Sequence, residues 1–276
     1  MPLRAIPYSL PPATAPPWVR AHPSGTHDDH VADRSDRWGA RVNFETFEPM
    51  YEAILADFGF ERVADEHARD VAASLATPFP LDRLDDWRGA TVAVAGAAPR
   101  LAGDIDLARE ADVVVAASTA VDVLRDRGVT VDCMVTDLDK NPDTAAALTR
   151  DGIPVAAHAH GDNVPAVREW LPRFADEWTL ATTQAAPTGP VVNVGGFTDG
   201  DRAAFLADHV GAGELVFPGW DFDDPDVGPM KAQKLDWAAR LLRWLERRRG
   251  ERFGILDGRR ETTDATLDPI LSGADQ

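Results

Sequence analysis

The chain of 276 residues contains one cysteine, Cys133, so no intramolecular disulfide can form. It has no apolar run near the roughly 20 residues that a bilayer-spanning helix needs, which excludes a membrane protein. No basic-then-apolar leader opens it, and the expected compartment is the cytoplasm. Basic residues are scarce: 28 against 46 acidic ones, a formal charge of −18. A broad grip on nucleic acid or anionic lipid needs basic patches that release counterions, so neither is expected as a partner. Small molecules are the expected partners, and a homodimer is the default for a closed symmetric assembly.

The charges are distributed unevenly among residue types. Aspartate outnumbers glutamate 34 to 12, and only three lysines (Lys140, Lys231, Lys234) accompany 25 arginines. Short carboxylates hold water and tolerate strong screening, whereas long lysine stems add apolar surface, so the composition points to a surface adapted to a high-salt cytoplasm. Any lysine retained in such a chain is worth inspecting. Hydrophobic residues make up 44% of the sequence, enough to build a core.

Residues 1–41 are rich in Pro, His, Asp and Arg without periodicity and read as a disordered tail. From Asn43, the spacing of Phe44, Phe47, Met50, Tyr51, Ile54, Leu55 and Phe58 is helical, and a second helix is expected over about 65–75. Residues 42–88 therefore read as a small helical N-terminal unit, 89–258 as an α/β catalytic domain and 259–276 as a C-terminal tail. Within the α/β part, seven short apolar runs (91–95, 112–117, 131–136, 154–157, 178–182, 191–194 and 215–218) mostly alternate with helical stretches. Such a pattern predicts a Rossmann-like, mostly parallel sheet with helices on both faces. Ligands bind such sheets at the carboxyl ends of the strands, so the residues just after each run are the candidates.

After the first run comes Gly96-Ala97-Ala98-Pro99-Arg100-Leu101, a small-residue loop that either admits a phosphate to the backbone or simply turns the chain. Ser118 and Thr119 follow the second run and could cap a helix or meet a ligand. The third ends in Thr136-Asp137-Leu138-Asp139-Lys140. Two carboxylates so close repel unless a hard cation such as Mg2+ sits between them and substrate phosphates; turn and cap aspartates are the plainer alternative. The fourth ends in His158-Ala159-His160-Gly161-Asp162-Asn163, whose His158, His160 and Asp162 share a face if extended. One cysteine and an oxygen-rich set argue against zinc. Gln184 follows the fifth run. Asn193 to Arg202 follows the sixth and adds Asp199, Asp201 and Arg202. Lys231 and Lys234 stand three apart at the start of a long helix, a spacing suited to phosphate contact. Arg247, Arg248 and Arg249 at its far end read as compensation of the helix dipole.

In this order the motifs VTDLDK (135–140), HAHGDN (158–163), TTQ (182–184) and NVGGFTDGDRA (193–203), with Lys231 and Lys234, resemble the archaeal 6-hydroxymethyl-7,8-dihydropterin diphosphokinases. That family is similar in fold to the catalytic domain of thiamine diphosphokinases. The resemblance covers about 43–250 and departs at the glycine loop, where the family form resembles GxGPSL.

The resemblance implies Mg2+, ATP as co-substrate, and transfer of the β,γ-diphosphate to a pterin hydroxymethyl oxygen with release of AMP, in pterin or folate-type cofactor biosynthesis. It implies that Asp137 and Asp139 hold Mg2+, with Asp162 completing a second metal or orienting the alcohol. Lys231, Lys234 or Arg202 would offset phosphate charge, and Gly96, Arg100, Ser118, Thr119 and Lys140 would contact the nucleotide. His158, His160, Asn163 and Gln184 would line the floor, and Asp199 or Asp201 would accept hydrogen bonds from the pterin amino edge. Two rivals remain: a haloacid-dehalogenase-type phosphatase using Asp137 and Asp139, and a non-catalytic nucleotide or pterin sensor.

Overall fold

The computed structural model describes residues 41–273. The tail expected over 1–41 therefore lies, save for its last residue, outside the described residues. Two helices open the fold: α1 (Phe44–Phe58), whose Asn43 side chain accepts the Thr46 amide and whose end turns at Gly59, and α2 (Arg62–Leu75). A 3-10 segment, Leu81–Trp87, leads into the sheet.

Six strands follow: β1 (Thr91–Ala95), β2 (Val113–Ala117), β3 (Cys133–Thr136), β4 (Val155–Ala159), β5 (Thr179–Thr183) and β6 (Glu214–Val216). All pairings are parallel, in the order β5-β4-β3-β2-β1-β6. Between them run α3 (Ile105–Glu110), α4 (Ala120–Asp126), α5 (Pro142–Arg150), α6 (Val164–Trp170) and α7 (Asp199–Val210), and after β6 come α8 (Pro229–Arg249) and α9 (Arg260–Gly273). No helix among the described residues is long and apolar enough to cross a membrane.

The continuous apolar runs are explained by burial on both faces. Val92 and Val94 of β1 pack with α1, α7 and α8, while Ala93 and Ala95 pack with α3 and α4 on the other side. Alternate residues of each strand thus feed two cores. The N-terminal helices are divided by the same sheet: Phe47, Met50 and Tyr51 of α1 belong to one core, Ala68 and Ala72 of α2 to the other. They are parts of the two layers rather than a unit of their own.

The structure corrects three further expectations. The run 191–194 is not a strand of the sheet. It makes a single parallel bridge, Thr182 to Val192, and ends at Gly195 and Gly196, whose φ angles of +92° and +91° break an extended path at once. The stretch read as a C-terminal tail forms α9, packed on α8 and α1. And Arg249 does more than face a helix dipole: it is buried, pairs with Asp208 at 2.6 Å and Glu251 at 2.7 Å, and so ties the end of α8 to α7.

One buried carboxylate anchors α9, beside the Arg243–Asp264 and Arg247–Asp268 pairs. Glu246, only 1% exposed, accepts from Arg260 at 2.6 Å, Arg243 at 2.5 Å and the Phe253 amide at 2.6 Å. Removing one member of a buried charge cluster strands the others. Glu246→Ala is expected to cost about 3 kcal/mol in denaturant unfolding and to raise amide exchange across 260–273. A loss below about 1 kcal/mol would mean that apolar packing and the Arg243–Asp264 and Arg247–Asp268 pairs hold the helix without Glu246.

Candidate active site

At the carboxyl edge of the sheet lies a cavity of about 400 Å3. Its middle is the end of β3. Here the backbone turns through left-handed conformations at two residues that have a Cβ, Leu138 (φ +67°) and Asn141 (φ +39°), and at Ser118 beside them (φ +50°). Such angles cost of order 1 kcal/mol each and persist only where surroundings impose them. The surroundings are visible: the Leu138 amide donates to Thr136 Oγ1 at 3.0 Å, and the Ser118 amide to the Val135 carbonyl at 2.8 Å. Asn163 Nδ2 donates to the carbonyls of Asp137, at 2.6 Å, and His158, at 2.7 Å.

This loop holds Asp137 and Asp139 against each other. Burial pushes the Asp137 carboxyl up, but the His160 imidazole, 3.8 Å away, and the Asp139 side chain and amide outweigh it and hold the group well below the usual carboxylate range. Asp139 moves the other way. Burial and the neighbouring Asp137 carboxylate push it up to about 6. The pair therefore keeps one proton through mild acid, as two carboxylates in contact do when no cation lies between them.

Positive charge faces the pair. Lys231 and Lys234, on the first turns of α8, and Lys140, next to Asp139, all line the cavity, so every lysine of the chain is here. Arg202, 2% exposed, lines it too; its Nη atoms are fixed by the carbonyls of Gly196 at 3.0 Å and Phe197 at 2.8 Å, while its buried Nε has no partner. Burial and the Asp137 carboxylate push Asp199 well above the usual range.

Most of the residues singled out from sequence line this one cavity: Asp137, Asp139, Lys140, His158, His160, Asp162, Gln184, Asp199, Arg202, Lys231 and Lys234, together with Gly96, Ser118 and Thr119. Thr119 precedes α4 without capping it through its side chain. Three others do not line it. Arg100 is exposed and paired with Asp104 at 3.1 Å, because Pro99–Ala102 is a short 3-10 turn that carries it away. Asn163 is turned inward to the carbonyls just named. Asp201 is buried and takes the amides of Phe197 at 2.5 Å and Thr198 at 2.9 Å, which closes the start of α7. The glycine loop also differs from a phosphate cradle at Gly96. A Cβ there would lie 2.5 Å from the Gly219 carbonyl, and its amide is committed to Pro218, so the glycine serves close packing of two strand-end loops.

The sequence reading missed Asp65. This α2 carboxylate is 4% exposed, lines the cavity and accepts from the Tyr51 hydroxyl at 2.9 Å, the Gly161 amide at 2.8 Å and Gln184 Nε2 at 2.7 Å. The available signal was an aspartate in helical register with Ala68 and Ala72, on the face of α2 that is buried. Phe60, Phe197 and Trp220 supply apolar wall.

Among the described residues no three His, Cys, Asp or Glu side chains are gathered as a metal centre, and Asp162 lines the cavity without joining the Asp137–Asp139 pair as a third ligand. Two carboxylates that repel each other still suit a hard cation completed by water and phosphate oxygens.

The 6-hydroxymethylpterin diphosphokinase MptE-like family model matches residues 71–227. The chain belongs to that family. Proteins named 6-hydroxymethyl-7,8-dihydropterin pyrophosphokinase are similar over most of their length. That of Methanothermobacter thermautotrophicus is 38% identical over 216 residues, covering 71% of this chain and 92% of the relative. That of Pyrococcus furiosus is 34% identical, covering 74% and 95%, and that of Methanocaldococcus jannaschii 27% identical, covering 74% and 96%. The β3 and β4 motifs of this diphosphokinase family member fall within the matched span, whereas Asp65, Lys231 and Lys234 lie outside it.

The raised Asp139 carboxyl has a measurable consequence. Below pH about 4 both folded and unfolded chains keep its proton; between 3.8 and about 6 only the folded chain does, so metal-free stability falls with rising pH across that window. Asp139→Asn is expected to make this decline shallower, leaving the part owed to the raised Asp199 and Asp201 carboxyls, and, without metal, to be more stable than wild type at pH 7 by up to about 1 kcal/mol after solvent screening. Parallel pH profiles of Tm for the two proteins in chelator would show that the pair shares no proton.

Proposed function

We propose that this protein transfers the diphosphoryl group of ATP to the hydroxymethyl oxygen of 6-hydroxymethyl-7,8-dihydropterin, with Mg2+. The alcohol oxygen bonds to the β-phosphorus, the bond from that phosphorus to the α,β-bridging oxygen breaks, AMP leaves and the hydroxyl proton is released. The observation that carries this reading is the Asp137–Asp139 pair facing Lys140, Lys231, Lys234 and Arg202 in one cavity of a chain from this family. Diphosphoryl transfer needs position and charge neutralisation more than covalent chemistry, and the cavity is built accordingly.

Each group has a role in that scheme. Asp137 and Asp139 would hold Mg2+, which when bound neutralises phosphate charge. Lys231 and Lys234 approach from the start of a helix, where the dipole adds to their attraction for anions. Arg202, fixed at both Nη atoms, contributes a charge that cannot swing away. Asp162 is left to orient the alcohol, and with Asp201 committed to backbone amides, Asp199 is the aspartate left for the pterin amino edge. The product, an activated pterin, suits pterin or folate-type cofactor biosynthesis.

The test is incubation in high KCl with Mg2+, ATP and the reduced pterin, followed by chromatography of nucleotides and pterins. AMP and pterin diphosphate should form one to one. Asp137→Asn and Asp139→Asn should each lower kcat about a hundredfold or more with the fold intact. Inorganic phosphate from a phosphomonoester instead would favour the phosphatase reading, tight binding without turnover a sensor, and undiminished turnover by both variants would refute the metal assignment.

A further inference from the structure

Asp65 is an expensive residue where it stands. At the next positions of its register α2 buries alanine, and a carboxylate taken out of water must have all its hydrogen bonds replaced. Its three donors come from three different elements: Tyr51 of α1, Gly161 after β4 and Gln184 after β5. Burial, with Asp65 itself, pushes the Tyr51 hydroxyl well above its usual range, so it remains a donor. Contact at Gly161 is tight, since a Cβ there would lie 2.7 Å from Ala64 Cβ, so α2 sits directly on the turn that carries His160 and Asp162.

The effect on Gln184 is chemical as well as steric. A primary amide presents either NH2 or carbonyl to a site at nearly equal steric cost. A carboxylate only accepts, so Asp65 selects the orientation: Nε2 faces Asp65 at 2.7 Å, and Oε1 is the polar atom left for the cavity. The main chain of Gln184 is held as well, its carbonyl taking Asn193 Nδ2 at 2.9 Å. Beside it, on β4, His158 is in register with Thr182 and hydrogen-bonded to its hydroxyl at 3.0 Å, while its buried Nε2 has no partner and lines the same wall. The β4–β5 end of the cleft is thus a rigid polar wall, in which the Gln184 side chain also stands beside the His158 imidazole. The β1–β2 end offers small residues and the hydroxyls of Ser118 and Thr119. The carboxylate pair stands between them, just after β3.

We infer that Asp65 is a positioning residue for the acceptor: it holds the Gln184 carbonyl toward the cavity, so that the β4–β5 end receives a heterocycle through its N–H donors, leaving the β1–β2 end to the nucleotide. This deepens the proposed pterin reaction and rests on it for the identity of the ring.

The test separates binding from turnover. Equilibrium dissociation constants for reduced 6-hydroxymethylpterin and for ATP are measured separately on wild type, Asp65→Asn, Gln184→Glu and the double variant. In Asp65→Asn the new amide can donate to Gln184, which then turns its own NH2 to the cavity; pterin affinity should fall about tenfold while ATP affinity stays within about twofold. Gln184→Glu sets two carboxylates together and should also weaken the pterin. In the double variant the amide at 65 donates to the carboxylate at 184, and an acceptor oxygen again faces the cavity. Pterin affinity should recover to within about threefold of wild type, a reciprocal rescue that a purely structural role would not give. Unchanged pterin affinity in Asp65→Asn, equal weakening of ATP, or a double variant no better than the singles would overturn the inference. A wild type that binds the pterin but forms no AMP would sink the proposed reaction and leave this inference to the binding data.

Discussion

Two carboxylates that ought to repel are held in contact at the end of the third strand, and much of the surrounding structure serves to keep them there. Leu138 and Asn141 accept left-handed backbone so that Asp137 and Asp139 emerge on the same side of the turn. Asn163 ties the Asp137 carbonyl to the His158 carbonyl and thereby welds the ends of β3 and β4. His160 stands beside Asp137, and three lysines and a buried arginine face the pair. An arrangement of this kind is unfavourable in an empty cavity and becomes favourable when a polyanion and a cation enter. Strain and like-charge contact stored at one loop therefore read as function, because observed outliers and an observed charge pair coincide there.

A second layer of buried polar residues makes the site rigid. Asp65, Asn163, Asn193 and Asp201 are each at most 7% exposed, and each spends its side chain on amides, carbonyls or another side chain of the loops that carry the cavity wall. Their positions follow from topology. A parallel sheet delivers all its β-to-α loops to one edge, where backbone groups lack ladder partners, and short polar side chains are the cheapest means of satisfying them. The same residues that complete the hydrogen bonding of the loops also decide which side chains remain available to a substrate.

Much of this was legible in the sequence. Apolar runs alternating with helical stretches gave the parallel sheet, and the rule that ligands meet carboxyl ends brought Asp137, His158, Gln184 and Arg202 into view. Failures occurred where local pattern and three-dimensional context part. The run 191–194 looks like a strand but is cut short by a Gly-Gly turn; 260–273 lacks a strong apolar stripe, and α9 is anchored by partners on α8, Glu246 for Arg260 and Arg243 for Asp264. Asn163 after β4 and Asp201 in the first turn of α7 have the right chemistry, and only the fold shows that backbone groups use it. Asp65 lies far from every strand end in sequence and reaches the cavity because α2 crosses β4 and β5.

The placing of lysine and arginine follows the same division between fixing and exchanging charge. The chain has 25 arginines, and three of the buried or half-buried ones act as planar forks: Arg243 spans Glu246 and Asp264, Arg249 spans Asp208 and Glu251, and Arg202 grips two carbonyls. A guanidinium locked in that way is a good permanent bracket and a poor follower of a moving anion. Lysine is the opposite, a compact ammonium on a flexible stem. In a chain that otherwise avoids it, lysine is retained at three positions and all three border the cavity. Flexible ammoniums at the cavity suit a group that changes place, and in the proposed reaction that group is the diphosphate itself.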